Sequence, residues 1–191
     1  MFAAYLEAIG RLDAAAFQWL RTYHFPFLDL LMEGLSDIAA GAGIWIALAL
    51  LIGFIRPSRW PAAAQVFLAI GMTILLTETA AKPLFSRARP FESYADTRVA
   101  GRKPTTKSFP SGHAANAAAA VYALSRLAPE GRAIFWTLGI LIGLSRVYLG
   151  VHYPGDVVGG CVLGLAAASW VVGGTRWTFQ IPRSRAHKIT S

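Results

Sequence analysis

The sequence predicts an all-α integral membrane protein, a helical bundle of about five transmembrane helices preceded by an N-terminal amphipathic helix. Hydrophobic residues make up 55% of the 191 residues and charged residues only 15%, a composition too apolar for an ordinary soluble domain. The apolar residues also collect in stretches that approach the roughly 20 residues needed to cross the hydrocarbon core of a bilayer. These stretches are residues 36–55, 61–81, 111–127, 133–150 and 156–174.

Residues 1–35 form an N-terminal segment that we expect at the membrane interface. Between residues 3 and 20, apolar side chains recur near helical spacing while the charged residues lie elsewhere, as in an amphipathic helix. A helix packed against the bundle is an equally good interpretation of this pattern. Acidic residues then recur every four positions, at Asp29, Glu33 and Asp37, and we expect them to lie at the interface or to face protein.

The formal net charge of +8 is compatible with nucleic acid, anionic lipid or a phosphorylated substrate as partner. The basic residues collect between the apolar stretches, in residues 82–107 and in the tail, which is typical of a protein at a membrane surface. No nucleic-acid-binding motif is present. We therefore expect membrane lipids and an anionic substrate as partners, and no nucleic acid.

We interpret the whole chain, residues 1–191, as a single membrane domain that ends in a basic tail, residues 176–191. Lysine and arginine in short loops concentrate on the cytoplasmic side of membrane proteins. If the five stretches alternate, eight lysines and arginines fall on the face of the tail and ten on the opposite face. Several of those ten lie in the polar clusters and are discounted, so we expect a multi-pass protein of the cell inner (plasma) membrane with its tail in the cytoplasm. The polar clusters described next would then lie on the periplasmic or extracellular face.

Three polar clusters interrupt the apolar chain, and all three fall on the same predicted face. The first holds Lys82 and Arg89, with six residues between them, and ends in a turn marked by Pro90. An arginine fork matches two phosphate oxygens and a lysine adds a point charge, so the pair could neutralise a phosphoryl group. Alternatively, both side chains could extend to the membrane interface and have no part in binding phosphate. Glu78, one helical turn before Lys82, could orient the lysine.

The second cluster, Pro110 to His113, opens a predicted helix. Ser111 has the residue type and position of an N-cap, and the free N–H groups of Gly112 and His113 would face the same pocket. An anion at a helix N-terminus interacts with those donors and with the helix dipole, and glycine permits close approach of a phosphate oxygen. A simple helix cap is the alternative interpretation, but it does not explain His113.

The third cluster ends one helix with Ser145 and Arg146 and opens the next with His152 and Asp156. A carboxylate one turn from a histidine can hold one ring nitrogen, which leaves the other nitrogen free to attack phosphorus. A structural histidine–aspartate pair is the alternative. Together the clusters supply what phosphoryl transfer needs: cationic and N–H donors, a nucleophile with its orienting group, and a second histidine to protonate the leaving oxygen.

In order and spacing, the three clusters resemble the signature motifs of the type 2 phosphatidic acid phosphatase family. The motifs are Lys82, six residues, then Arg89 and Pro90; Pro110 to His113; and Ser145 and Arg146, five residues, His152, three residues, then Asp156. With their helices they cover residues 61–174, the expected catalytic core. The resemblance implies a helical membrane fold and hydrolysis of a lipid phosphate through a phosphohistidine intermediate, without a metal ion or other cofactor.

The same resemblance implies a role for each residue. His152 is the expected nucleophile, Asp156 orients it, and His113 acts as general acid and later as base. The residues expected to bind the phosphate are Lys82, Arg89, Ser111, Gly112 and Arg146.

Several lipids are compatible with this site. The resemblance implies prenyl diphosphate, lipid A 1-phosphate, phosphatidic acid or phosphatidylglycerol phosphate as substrate. A lipid phosphotransferase that passes the phosphoryl group from His152 to another lipid would use the same residues. Vanadate-binding haloperoxidases have a similar site but are soluble, and a non-catalytic membrane scaffold would not need the complete set of site residues.

Overall fold

The computed structural model describes residues 2–99, 101 and 103–174, and every regular element within them is helical. This confirms the predicted all-α fold class. The predicted basic tail, residues 176–191, lies outside the described residues. The helices are α1 (Phe2–Leu20), α2 (Pro26–Ile38), α3 (Gly43–Ile55), α4 (Trp60–Leu75), α5 (Lys82–Phe85), α6 (Pro90–Ser93), α7 (Gly112–Leu127), α8 (Arg132–Tyr148) and α9 (Pro154–Gly174).

The N-terminal helix α1 packs on the bundle along one narrow face. Phe17 is fully buried, and its ring centroid lies 5.5 Å from that of Tyr153 and 6.2 Å from that of Tyr94. Other apolar side chains of α1, including Leu12 and Trp19, are exposed. The structure therefore supports the interpretation of α1 as a helix packed against the bundle, and its position at the membrane interface stays a prediction.

Helices α2 and α3 are separated by a sharp turn. The sequence predicts one span over residues 36–55, but α2 ends at Ile38 and α3 begins at Gly43. Gly41 and Ala42 have φ values of 60° and 63°, a left-handed conformation that interrupts a right-handed helix. The stretches on either side are bent by 49°. The expected start of this span is therefore wrong, because the backbone turns at Gly41.

The acidic residues of α2 face the rest of the protein. Asp29 is buried, accepts a hydrogen bond from the hydroxyl of Tyr148 at 2.7 Å, and pairs with Arg98 at 2.9 Å. Glu33 and Asp37 line a cavity next to the third polar cluster. The four-residue spacing thus marks the face of α2 that turns towards α8 and the loop after α6.

Helix α4 leads directly into the first polar cluster. After Leu75 the backbone forms a π-helical turn, Leu76–Ala81, which continues into α5. Such turns are rare and occur frequently at functional sites. The turn holds Glu78 and delivers Lys82 at the end of the long apolar stretch.

Helix α7 is the centre of the core. It contacts α4, α8 and α9, and most of its alanines are buried, so neighbouring helices approach its backbone closely. On α9, a Cβ atom added at Gly160 would lie 2.5 Å from the carbonyl oxygen of Ser111, and one added at Gly164 would lie 2.1 Å from that of Ala115. The two helices therefore approach each other closely at these two glycines.

Two helical stretches of the described chain, Pro57–Ser93 and Pro154–Gly174, are long and apolar enough to cross a membrane, and a third qualifies if the bent pair of α2 and α3 is one span. Helices α7 and α8 have 16 and 17 residues, which gives lengths of about 24–26 Å at 1.5 Å per residue. These lengths fall short of a hydrocarbon core of about 30 Å. The number of five spanning helices stays a prediction.

Candidate active site

The three polar clusters meet around one cavity of about 270 Å³. Its walls come from the end of the α4–α5 unit, the loop before α6, the start of α7, the end of α8 and the loop before α9. Six of the eight residues predicted for the site line it: Lys82, Arg89, Gly112, His113, Arg146 and His152. Segments distant in sequence therefore contribute to a single site.

Lys82 is held in place by two neighbours. Its Nζ donates to Oε1 of Glu78 at 2.5 Å and to Oγ1 of Thr106 at 2.9 Å. The predicted pairing with Glu78, one turn earlier, is thereby confirmed. Lys82 is buried, with only 8% of its surface exposed, so its positive charge lies in the wall of the cavity.

The guanidinium of Arg89 links two parts of the site. It donates through Nε to the carbonyl oxygen of Thr106 at 2.6 Å and through Nη2 to that of Lys107 at 3.2 Å. Its Nη1 donates to the carbonyl oxygen of Val151 at 2.8 Å and lies 3.2 Å from Nε2 of His152. These contacts fix the arginine against the loop that carries His152.

His152 is a buried, neutral imidazole. Because Arg89 has only N–H donors, Nε2 must be the acceptor in their contact, which assigns the ring proton to Nδ1. Nδ1 lies 3.5 Å from Oδ2 of Asp156. Burial lowers the pKa of His152 to about 4, with the charges of Arg89 and Arg146 adding to the effect and Asp156 opposing it.

Asp156 lies fully buried behind His152. Its Oδ2 accepts hydrogen bonds from the hydroxyl of Ser108 at 2.5 Å and from the N–H of Tyr153 at 2.9 Å. Its Oδ1 accepts from Arg87 at 2.8 Å. The contact with Nδ1 of His152 is longer than an ordinary hydrogen bond, but catalytic hydrogen bonds are often long before substrate binds.

The N-terminus of α7 forms another wall of the cavity. Ser111 is the N-cap, as its position predicts, and its hydroxyl accepts from the N–H of Ala114 at 3.5 Å. Its own N–H donates to the carbonyl oxygen of Asp156 at 2.9 Å. Ser111 is fully buried and is not among the lining residues, whereas Gly112 and His113 are. The hydroxyl predicted to bind phosphate thus serves as a helix cap in this structure.

Arg146 lies between two cavities. Its Nη1 donates to the hydroxyl of Ser36, while its buried Nε has no hydrogen-bond partner among the described residues. A second cavity of about 660 Å³ adjoins the first, and Arg146 and His113 line both. Glu33 and Asp37 also line this second cavity.

Several residues at or near the site were not predicted from the sequence. Thr106 bonds both Lys82 and Arg89 but lies in a loop without a periodic pattern. Asn116 lines the cavity, and its place one helical turn after Gly112 would have been a usable signal. Arg87 lies in the first polar cluster, between Lys82 and Arg89, but its partner Asp13 has no sequence signal, and only the tertiary structure brings the two together.

The arrangement is suited to binding and attacking an anion with three or four oxygens. Three cationic side chains and a helix N-terminus face the cavity, and a neutral imidazole points one nitrogen at it. The part of the chain that the structure describes contains no group of three or more His, Cys, Asp or Glu side chains placed to hold a metal ion.

Comparison with known proteins gives consistent matches. The family model described as the PAP2 superfamily matches residues 62–179. The chain is 28% identical to the lipid A 4'-phosphatase of Bacteroides thetaiotaomicron, over 97% of this chain and 82% of that protein. It is 36% identical to the decaprenylphosphoryl-5-phosphoribose phosphatase of Mycobacterium tuberculosis, over 75% of this chain and 80% of that protein.

One solved structure is similar over nearly the whole chain. It is the crystal structure of a transmembrane PAP2 type phosphatidylglycerolphosphate phosphatase from Bacillus subtilis, with a TM-score of 0.74 and 29% sequence identity. The match covers 91% of this chain and 89% of that one.

Proposed function

The chain belongs to the PAP2 superfamily, and from this premise we propose that it is a membrane lipid phosphatase acting through a phosphohistidine intermediate on His152. Its relatives are named as phosphatases of lipid A, of a decaprenylphosphoryl sugar and of phosphatidylglycerol phosphate. A terminal phosphate or diphosphate on a lipid is the substrate class that these names share.

One observation carries the proposal. Nε2 of His152 lies 3.2 Å from Arg89 Nη1, in the wall of a cavity that Lys82 and Arg146 also line. A phosphoryl group in this cavity would have its charge balanced by three cations while its phosphorus faces a neutral nitrogen. The low pKa of His152 supports its role as nucleophile, because only the neutral ring can attack.

The reaction would proceed in two steps. First, Nε2 of His152 exchanges its hydrogen bond with Arg89 for a bond to phosphorus, the bond from phosphorus to the leaving oxygen breaks, and His113 gives that oxygen a proton. Then a water molecule attacks phosphorus, His113 takes a proton from the water, and the N–P bond breaks to release inorganic phosphate. Asp156, beside Nδ1, would stabilise the positive charge of the phosphorylated ring.

We propose that this reaction needs no metal ion. In metal-dependent phosphatases, bound cations stabilise the charge that develops on the phosphoryl oxygens. Here Lys82, Arg89 and Arg146, which line the cavity, would supply that positive charge, and the N–H groups at the start of α7 would add further donors.

The residues that line the larger cavity favour one class of lipid phosphate as substrate. Because His113 and Arg146 line both cavities, a leaving group protonated by His113 would extend into the larger one. Glu33 and Asp37 also line it, and carboxylates repel a second phosphate but accept hydrogen bonds from hydroxyl groups. We therefore propose a substrate whose phosphate sits on a hydroxylated headgroup, such as the sugar of lipid A, in preference to prenyl diphosphate.

The test is phosphate release from a panel of lipid phosphates in detergent, with a chelator present, comparing wild type with His152→Ala. The panel contains lipid A, prenyl diphosphate, phosphatidic acid and phosphatidylglycerol phosphate. We expect release by wild type alone, fastest from lipid A. Faster release from prenyl diphosphate would contradict the proposed headgroup preference while leaving the phosphatase proposal intact.

Two other outcomes would contradict the proposal itself. Activity lost in the chelator and restored by a metal ion would remove the metal-free mechanism. No release from any lipid, with transfer of phosphate to a second lipid instead, would establish a phosphotransferase that uses the same histidine.

The membrane setting follows from the relatives and the apolar helices, and we propose the inner membrane with the site on its periplasmic or extracellular face. The basic residues Arg56, Arg59 and Arg126, at the opposite ends of the helices from the site, support this orientation through the positive-inside rule.

A further inference from the structure

We propose that Arg87 and Asp13 are positioning residues of the active site, through which the N-terminal helix α1 holds Asp156 against His152. This inference rests on the proposed phosphatase function. Neither residue lines the cavity, so both would act through Asp156 and not on the substrate.

The guanidinium of Arg87 bridges two carboxylates. Its Nη1 lies 2.8 Å from Oδ1 of Asp156, and its Nη2 lies 2.8 Å from Oδ2 of Asp13. The planar fork of an arginine suits such a bridge, because its two terminal nitrogens point in fixed directions. The guanidinium also lies 4.0 Å from the ring centroid of Tyr153, which restricts its movement on a third side.

Asp13 also contacts the start of α9 directly. Its Oδ1 accepts a hydrogen bond from the N–H of Gly155 at 2.6 Å, one of the free N–H groups at the start of α9. A Cβ atom at Gly155 would lie 2.7 Å from Oδ2 of Asp13, so the absence of a side chain there permits this close contact. Helix α1 therefore bonds both the residue before Asp156 and, through Arg87, the carboxylate itself.

Packing of α1 supports these polar contacts. Phe17, one turn after Asp13, is fully buried against Tyr153, the residue that follows the proposed nucleophile. The side chain of Asp13 is only 10% exposed. Because the contact is largely shielded from water, it should hold a fixed geometry better than an exposed ion pair does.

Loss of Arg87 would affect Asp156 directly. Among the described residues, Arg87 is the only side chain that donates to Oδ1 of Asp156, while Ser108 and Tyr153 both bond Oδ2. Without Arg87 the buried carboxylate would lose the cation that bonds Oδ1 and could rotate about the bonds on Oδ2. Its 3.5 Å contact with His152 Nδ1 would then be less well defined when the ring becomes positively charged.

This role predicts a specific kinetic signature. The stabilisation by Asp156 grows as His152 becomes a phosphorylated cation, so its loss should slow the chemical step more than it weakens substrate binding. We expect Arg87→Ala to lower kcat by about 10–100-fold, the range found when a residue that orients an active group is removed, with little change in KM. Arg87→Lys and Asp13→Asn should lower kcat less, since each keeps part of the bridge.

The decisive measurement is a double-mutant cycle in the phosphate-release assay. If Arg87 acts through Asp156, Arg87→Ala should cause no further loss of kcat in an Asp156→Asn background. A matched control is Arg21→Ala, which removes another ion pair, between the residue that follows α1 and Asp96 in the loop after α6, at 2.7 Å, away from Asp156. Its kcat should equal that of wild type, and thermal unfolding in detergent is measured for every variant.

These measurements distinguish a failure of the proposed phosphatase function from a failure of the proposed positioning role. A wild-type chain that releases no phosphate from any lipid contradicts the proposed function. An active wild type with unchanged kcat in Arg87→Lys, Arg87→Ala and Asp13→Asn overturns the positioning role alone. Additive losses in the cycle, or an equal loss in Arg21→Ala, would also overturn it, because they would indicate a general effect on folding.

Discussion

At the scale of single residues, His152 combines two properties that seldom occur together. It is almost completely buried, yet it lines a cavity, and its Nδ1 faces a carboxylate. Burial disfavours the protonated form, whereas Asp156 favours it, and burial together with the nearby arginines dominates. The ring therefore stays neutral before reaction but has a partner for the charge that it would acquire.

This environment leads to a prediction about protonation. With a pKa of about 4, His152 should stay neutral across the neutral range, whereas an ordinary histidine titrates near 6.5. The chain has four histidines, so ¹⁵N-histidine NMR can identify the His152 resonance as the one lost in His152→Ala. We expect this resonance to titrate well below pH 6.5. A midpoint near 6.5 would contradict the buried, neutral state.

The lowered pKa of His152 also affects the stability of the folded protein. Because the folded-state pKa lies below the unfolded-state value, the unfolded chain binds a proton first as the pH falls. The stability that neutral His152 contributes is fully present above pH 6.5 and is lost progressively towards pH 4. Acid conditions should therefore destabilise wild type more than His152→Ala, measured as the change in Tm over this range.

At the scale of elements, the α7–α9 interface determines how the site is assembled. Helix α7 begins with Gly112 and His113, and α9 begins two residues after His152. The two helices touch so closely that a Cβ atom at Gly164 would lie 2.1 Å from the carbonyl oxygen of Ala115. A change in this spacing would move the two walls of the cavity relative to each other.

Gly164→Ala should therefore destabilise the protein. An added methyl group against backbone atoms has no room, and overpacking of this kind costs about 1–3 kcal/mol. The matched control is Gly173→Ala on the same helix, where no atom of the described residues lies within 4 Å of the added Cβ and the gain in helix propensity should leave Tm equal or slightly higher. Equal Tm values for the two variants in detergent would contradict the observed packing.

At the scale of the whole molecule, the polar groups of the site gather at one end of the bundle. Lys103 lies in the loop beside the site, while Arg126 lies at the other end of α7, and both are exposed. The 16 residues of α7 separate these two ends by about 24 Å along the helix axis. They are therefore suitable reporters for the two faces of the membrane.

The proposed orientation can be tested with these reporters. Cys161 is the only cysteine, so a Cys161→Ala background allows single cysteines to be placed at Lys103→Cys and Arg126→Cys. A membrane-impermeant maleimide should label the first in cells whose inner membrane is intact, and the second only after lysis. The reverse pattern would put the site on the cytoplasmic face.

The sequence by itself determined the fold class and most of the residues that line the candidate site. Apolar stretches predict helices because a bilayer leaves no water for unpaired backbone groups. Charged residues near such stretches predict a shared site because they are costly there without a partner. Lys82, Arg89, His113, Arg146 and His152 could be predicted for this reason, and Gly112 could be predicted from its place at a helix N-terminus; all six line one cavity.

Other features depended on the tertiary structure. The sequence predicts Ser111 as a helix cap and also as a phosphate ligand, and the structure shows that its buried hydroxyl caps α7 and does not line the cavity. The turn at Gly41, the contact of Thr106 with Lys82, and the bridge from Asp13 through Arg87 join segments that have no common periodicity. Such contacts arise only when helices distant in sequence pack together, so a pattern within one helix does not contain them.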